Sequence, residues 1–379
     1  LAFLQEAVKL WSILVRLSLI SKGRGSGMWL VGDIGGTKTL LACYSDACCD
    51  HIAFEKTYHS QSYPDFSMLL DDFLIDVVDQ DLGLDRLFER ACFALAGPVI
   101  AASCRLTNLP WFVDATLLQK QLGCPVYLIN DLEAIATAIV APGRASTLPV
   151  VTLQAGDLGR MGSSGSMATK AVIAPGTGLG MGYAVWDTGR ARYRACASEG
   201  GHIDFAPRTA LQMELLTYMK KSVRSISLEQ ICSGLGIAEV FKFLENRQGA
   251  SCFDSDQSHI RYTVPEIIEA AYLNSHPSAL FLRCAKETVE LFLQLLGQAT
   301  QSLALMTLSI GGIYLTGGIS RHLQESWLKT IYMEYFLEHS TMGDVLRTIP
   351  LYWVSDPKIG LYGAYAFLVG LFLQEQAVI

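Results

Sequence analysis

Apolar runs that stop abruptly at a glycine pair or a polar pair limit this fold more than any other feature. Residues 28–34 run into Gly35-Gly36, residues 171–174 into Pro175-Gly176, and the short run 313–316 into Gly317-Gly318, while residues 126–129 end at Asn130-Asp131. Short continuous apolar stretches bounded by turn residues read as buried strands. In open α/β sheets, ligands gather at the carboxyl ends of such strands. Glycine-bearing strand ends this far apart in the sequence point to a cleft between two domains better than any one of them does.

Around these strands, helix and strand signals alternate. Residues 28–44 predict a strand, a sharp turn at Gly35-Gly36 and a second strand; a third follows at 51–59 after a turn at 46–50. Residues 66–78 and 84–88 carry apolar side chains at helical spacing, among them Phe73, Val77 and Leu87. Residues 91–96 form a strand closed by Gly97-Pro98, and a helix at 115–122 precedes the strand at 126–129. Buried strands are expected at 148–153 and 170–173, separated by the Gly/Ser-rich stretch 156–166. Helices are expected at 211–219, 237–245, 279–296 and 364–373, the last packed on the first domain. The polar interval 248–261 reads as a surface loop. Pro142 and Gly143 interrupt the helix begun after Asp131, which sets the domain crossing there. The expected organisation is a small α/β domain over 28–141, completed by a C-terminal helix at 360–379, and a large α/β domain over 142–359. No internal repeat is evident.

Composition narrows the class. A chain of 379 residues with 51% hydrophobic and 17% charged side chains has the core of a globular protein, which excludes a disordered one. Its net charge of −7 contains no basic block, which argues against a nucleic-acid partner. An anionic substrate would have to be met by backbone donors or local positive groups. The histidines are scattered without ligand-spaced pairs, so no protein-built metal centre is expected. The cysteines lack a Cys-x-x-Cys and read as reduced, buried side chains of a cytoplasmic protein.

Residues 1–27 stand apart. Gln5, Lys9, Ser12 and Arg16 recur at helical spacing on one side of an apolar segment, which predicts an amphipathic helix. Charges interrupt it too early for a transmembrane segment. Residues 22–27 then form a flexible joint. Three readings of this extension stand: a targeting segment, which would make the protein organellar, a helix docked on the domain, or a stretch absent from the working protein.

The chemistry-bearing residues cluster at the strand ends. In Asp33-Ile34-Gly35-Gly36-Thr37-Lys38 the glycines allow a tight turn that brings backbone N–H groups close to an anion, and Thr37 adds a hydroxyl. Asp33 would repel phosphate directly, so its useful role involves Mg²⁺, bridged by water. The segment is not a Walker A loop, because Thr37 stands where that loop has glycine before lysine. Pro175-Gly176-Thr177-Gly178-Leu179-Gly180 and Thr316-Gly317-Gly318 repeat the glycine-turn pattern, although tight hairpins use the same residues. Asn130 and Asp131 are each suited to cap the helix that follows. Glu199-Gly200-Gly201-His202 brings an acid and a histidine onto a close bend, and Thr107-Asn108-Leu109-Pro110-Trp111 joins short polar groups to an aromatic ring. Glu229 reads as a carboxylate just inside a helix after Ser227, favoured there by the helix dipole. Carboxylates, amides and an imidazole of this kind are what recognition of sugar hydroxyls requires.

Taken in order, these motifs resemble the bacterial-type glucokinase family of the actin-like ATPase, or sugar-kinase, superfamily. The resemblance runs through Val31 to Lys38, Leu95-Ala96-Gly97-Pro98, Thr107 to Trp111, Leu128-Ile129-Asn130-Asp131, Gly176 to Gly180, Ser198 to Pro207, Ser233-Gly234 and Tyr314 to Ile319. It implies an actin-like (ribonuclease H-like) fold of two α/β domains flanking a deep cleft, and transfer of the γ-phosphoryl group of ATP to the 6-hydroxyl of D-glucose. It also implies Asp131 as the catalytic base, with Asn108, Asn130, Glu199, His202 and Glu229 holding the sugar. Asp33, Gly35, Gly36 and Thr37, together with Gly176, Thr177, Gly178 and Gly180, match phosphate loops for ATP–Mg²⁺, and Gly317 and Gly318 lie in the adenosine region. Members of the family commonly form homodimers. The competing readings are a kinase for another hexose and a non-catalytic sugar-binding regulator.

Overall fold

A computed structural model describes residues 27–45, 51–80, 88–141, 148–156, 167–249, 262–318 and 326–377. The expectations for residues 1–26, for the turn at 46–50, for 84–87 and for most of 156–166 and 248–261 lie outside the described residues. By its internal contacts the chain divides into two compact units, Leu1–Thr147 with Lys358–Ile379, and Leu148–Pro357.

The first unit runs β1 (Met28–Ile34), β2 (Lys38–Tyr44), β3 (Ile52–His59), α1 (Phe66–Asp79), β4 (Phe88–Leu95), β5 (Val99–Ile100), β6 (Ser103–Arg105), β7 (Phe112–Asp114), α2 (Ala115–Leu122), β8 (Val126–Asn130) and α3 (Asp131–Val140). Its main sheet has the order β3-β2-β1-β4-β8, and β5-β6-β7 form a small second sheet. Strand β1 is antiparallel to β2 and parallel to β4, which is parallel to β8.

The unbroken apolar character of β1 and β4 has a direct cause, since both faces of the sheet are covered. Leu30, Ile34, Phe93 and Leu95 point into a core with Phe66, Phe73 and Trp111. Trp29, Val31, Cys92 and Ala94 point into another. Helix starts follow side-chain capping: Asp65 accepts the Met68 N–H at 2.9 Å, and Asp114 accepts those of Thr116 and Leu117. Phe88, expected at the end of a helix, instead opens β4 opposite Met28. Apolar spacing over five residues does not separate helix from strand.

The second unit runs β9 (Val150–Gln154), β10 (Lys170–Pro175), β11 (Leu179–Asp187), β12 (Arg192–Ser198), α4 (Ala210–Met219), α5 (Gly234–Arg247), α6 (Val264–Leu273), α7 (Ala279–Thr307), β13 (Ile313–Leu315), α8 (Ser326–Leu337), α9 (Gly343–Thr348) and β14 (Leu351–Val354). Its sheet order is β12-β11-β10-β13-β14-β9. In both units an antiparallel three-strand meander leads into two parallel strands. The architecture is therefore duplicated although no sequence repeat is visible. The expectation of a buried strand at 148–153 is corrected: β9 is an antiparallel edge strand with Val150 and Val151 exposed.

Helix α7 continues well past residue 296. Gln298, Thr300 and Gln301, beyond the expected end, are buried there. Thr300 donates its hydroxyl to Leu296 O at 2.8 Å, and the Gln301 amide donates to Phe336 O at 2.8 Å and Glu338 O at 2.9 Å, so these polar groups are satisfied inside the unit.

The last helix, α10 (Ile359–Ala377), belongs to the first unit and brings Leu361, Ala364, Tyr365 and Leu368 against β1, β4 and α3. Its approach to α3 is close enough that a Cβ on Gly363 would collide with the Ala134 carbonyl. Among the described residues, Cys43, Cys92, Cys104, Cys124, Cys232 and Cys284 are buried and Cys196 is partly exposed, and none of them is in a disulfide. No helix among the described residues is long and apolar enough to cross a membrane.

Candidate active site

In the first unit the hairpin joining β1 to β2 is a tight turn closed by the Gly35 N–H on Lys38 O at 3.1 Å. Gly36 faces Asn108 so closely that a Cβ would lie 2.8 Å from that of Asn108. The first glycine turn and the Asn108 loop are thus packed together. Asn108 is exposed, and its loop is fixed from behind: the Thr107 N–H donates to Ala96 O, and Trp111 is buried with its indole N–H on Tyr63 O at 3.2 Å. Sequence reading missed Ser60. Its buried hydroxyl donates to Gly35 O at 2.8 Å and sits 3.0 Å from Thr39 Oγ1, while its N–H donates to Thr37 O. Only chain reversal through β3 brings a residue so distant in sequence onto the turn, so no local signal marks it.

Asp33 is partly buried at the end of β1. Burial pushes its carboxyl up to about 6, and nearby Lys38 offsets part of that rise. The first turn of α10 crosses beside it, and a Cβ on Gly360 would stand 2.5 Å from Asp33 Oδ2. Among the described residues no three His, Cys, Asp or Glu side chains gather as a metal site. A single hard-oxygen carboxylate beside a glycine turn does fit Mg²⁺ that arrives with phosphate, because that ion keeps its waters and takes one or two protein ligands.

Asn130 and Asp131 stand where β8 becomes α3. Asn130 is the N-cap: its Oδ1 accepts the N–H groups of Leu132 at 2.9 Å and Glu133 at 3.3 Å, and its amide donates to Gly97 O at 3.1 Å. The oxygen is committed to the helix, which leaves one amide hydrogen for a ligand. Burial raises the pKa of Glu133 in the first turn, and the Asn130 backbone offsets part of that rise. Asp131 opens the helix half-buried, with Oδ1 accepting the Leu132 N–H at 2.9 Å.

The second unit brings three loops together. The turn Gly176-Thr177-Gly178 closes the β10–β11 hairpin with the Gly176 N–H on Gly178 O at 2.8 Å, while Gly180 already pairs with Ala174 in the ladder. The bend Gly200–His202 lies against it, with no room for a Cβ on Gly201 beside Leu179 O. His202 stands 3.7 Å from Glu199 and 4.0 Å from Glu229. The expectation that Glu229 lies inside a helix is corrected: Ser233 caps α5, and Glu229 sits in the turn before it. Its N–H donates to Gly201 O at 2.8 Å, and its Oε2 accepts the Leu179 N–H at 2.9 Å.

Gly317 adopts φ +92°, a region that favours glycine, and a Cβ there would stand 2.5 Å from Pro175 O. Gly318 has open space around it. A second feature that was not foreseen directly follows the Glu199–Pro207 segment. The Arg208 guanidinium donates to Gln301 Oε1 at 2.6 Å, and the Arg208 N–H donates to Gln212 Oε1 at 2.7 Å.

Within the first unit, the structure therefore groups Asn108 with the Gly35–Thr37 turn. Within the second, it groups Glu199, His202 and Glu229 with the Gly176–Gly178 turn and sets Gly317 beside Pro175. The chain as a whole is similar to known proteins. The Glucokinase family profile matches residues 30–370. A glucokinase of Nostoc punctiforme is 33% identical over 348 residues, covering 88% of this chain and 97% of the relative. One from Synechocystis is 35% identical over 357 residues, covering 89% and 96%. The crystal structure of a glucokinase from an Antarctic psychrotroph superposes with a TM-score of 0.70 at 27% identity, covering 91% of this chain and all of the other. That of Balamuthia mandrillaris in complex with glucose has a TM-score of 0.73 at 21% identity, covering 96% and 97%, and shares the fold. With its two open α/β sheets and a match over most of its length, the chain belongs to the glucokinase family.

Proposed function

We propose that this chain catalyses ATP-dependent phosphorylation of glucose at its 6-hydroxyl, giving glucose 6-phosphate and ADP. The observation that carries the reading is the carboxylate of Asp131 at the end of β8, in a chain that matches the family across residues 30–370. A sugar hydroxyl is a weak nucleophile until its proton can leave, and a carboxylate within about 2.6–3.2 Å can accept that proton. Asp131 takes it as the O6–Pγ bond forms and the bond from Pγ to the bridging oxygen breaks, so ADP departs with the electron pair. Phosphoryl transfer is loose, so alignment of the hydroxyl counts for more than the strength of the base.

The residues this reading assigns to the sugar hydroxyls are Asn108, Asn130, Glu199, His202 and Glu229. Polar groups matched to the hydroxyls of one sugar disfavour a sugar that leaves one of them unpaired. Backbone N–H groups around Gly35, Gly36 and Thr37 and around Gly176, Thr177, Gly178 and Gly180 receive the phosphates of ATP, and Gly317 and Gly318 let adenosine approach the backbone. Mg²⁺, when bound with ATP, neutralises charge on the transferred group. Asp33 is the residue that would hold it, through water. The reading also carries a homodimer, tested by sedimentation, and a cytoplasmic enzyme, tested by localising the chain with and without residues 1–27.

The activity is tested by following ADP and sugar phosphate formation from ATP–Mg²⁺ with glucose, mannose, fructose and N-acetylglucosamine. The highest kcat/KM is expected for glucose. A higher value for another sugar would reassign the substrate, and the absence of sugar-dependent turnover would leave a binding protein.

A further inference from the structure

The hydrogen bond from Leu179 to Glu229 joins two loops to which separate tasks have been given. Glu229 faces His202 through Oε1 at 4.0 Å, and through Oε2 it accepts the N–H of Leu179, the residue that follows the Gly176–Gly178 turn. The same oxygen occupies the space a side chain at 178 would need, since a Cβ on Gly178 would collide with Glu229 Oε2. Two backbone bonds complete the junction: Glu229 N–H to Gly201 O, and Gly234 N–H to Gly176 O, each 2.8 Å. The glycine turn is therefore held to the Glu229 carboxylate through Leu179 and to the start of α5 through Gly176, while the Glu199–His202 bend meets Glu229 through its backbone N–H and through His202.

We propose that Glu229 is a positioning residue for the nucleotide as well as a ligand for the sugar, a bolt that sets the phosphate turn according to what occupies the sugar side. A carboxylate that accepts a backbone N–H makes a strong, directional bond. While Glu229 holds Leu179, the turn keeps one shape. When a sugar hydroxyl donates to Oε1, the carboxylate is fixed in place and the turn is fixed with it. Glucose and nucleotide then favour each other's binding, and such linkage is reciprocal. The inference rests on the sugar role of Glu229 and the phosphate role of the Gly176–Gly180 turn proposed above.

The test is titration calorimetry on the full chain, with glucose alone and with a non-hydrolysable ATP analogue plus Mg²⁺ alone. In Gly178→Ala the methyl group pushes Glu229 away, so glucose affinity without nucleotide is expected to fall about tenfold, although residue 178 lies in the phosphate turn. Gly176→Ala, where a Cβ meets nothing within 4 Å, should leave that glucose affinity within about twofold. The second arm uses Glu229→Ala, expected to weaken the ATP analogue about fivefold in the absence of sugar, with recovery in Glu229→Gln, whose carbonyl still accepts the Leu179 N–H. This arm decides the matter if Gly178→Ala does not fold. Unchanged glucose affinity in folded Gly178→Ala, or unchanged analogue affinity in Glu229→Ala, overturns the proposal. Wild-type glucose affinity in Glu229→Ala would instead show that its sugar role is wrong. Unchanged analogue affinity in both glycine variants would do the same for the phosphate role of the turn.

Discussion

Replacing Asp33 by asparagine is expected to stabilise the chain and disable it at the same time. Burial lifts the Asp33 carboxyl from its ordinary 3.8 to about 6. Each pK unit corresponds to about 1.4 kcal/mol, so holding this group ionised above pH 6 costs the folded chain up to about 3 kcal/mol. Some water reaches the side chain, and about 2 kcal/mol is the working figure. The folded state binds the proton more tightly than the unfolded state, so the stability that this protonation contributes is fully present below pH 3.8. It is lost as the pH rises through 6. Asparagine has no proton to lose.

Urea unfolding of Asp33→Asn should match wild type near pH 4 and exceed it by about 2 kcal/mol near pH 7.5. In a thermal scan that is roughly 4–8 °C for a unit of this size. Phosphorylation should fall at least about 100-fold, because the group that would position Mg²⁺ is gone. Equal stability at pH 7.5, or a wild-type pH slope retained in the variant, would refute the reasoning about the buried carboxylate.

Ser60→Ala removes the bonds to Gly35 O and Thr39 and should cost about 1–2 kcal/mol in denaturant unfolding, with KM for ATP raised and KM for glucose unchanged. Gly363→Ala forces α10 off the Ala134 carbonyl, and a loss of about 1–3 kcal/mol is expected in the same assay, together with a lower kcat because α3 carries Asp131. Gln301→Leu takes the acceptor from the Arg208 guanidinium. About 2–3 kcal/mol should be lost, and steady-state kinetics should show a raised KM for glucose, since Arg208 directly follows the Glu199–Pro207 segment.

Most of the fold was legible because its strands are buried on both sides and stop at glycine or polar turns. The β1–β2 hairpin, the β8–α3 junction and the Gly176–Gly178 turn all lie where the apolar runs end. What escaped depends on contacts distant in sequence. Ser60 reaches the first glycine turn only because β3 folds back along β2. Glu229 looked like a helix carboxylate because Ser227 is a good cap residue, whereas Ser233 takes that task and Ser227 spends its N–H on Gln230 Oε1 at 2.8 Å. Helix α7 outran its expected end because buried Gln and Thr side chains, satisfied by backbone carbonyls, cannot be told from surface ones in a hydropathy pattern. The duplicated sheet order is a property of hydrogen bonding between strands, and its trace in the sequence is confined to the glycine turns that close the β1–β2 and β10–β11 hairpins.

The base assignment is tested most directly by single-turnover formation of glucose 6-phosphate in Asp131→Ala beside wild type, with glucose affinity measured on the same samples. The account requires glucose affinity within a few-fold of wild type and a chemical step slowed at least about 100-fold. A folded Asp131→Ala protein that phosphorylates glucose at a near-normal rate would contradict it.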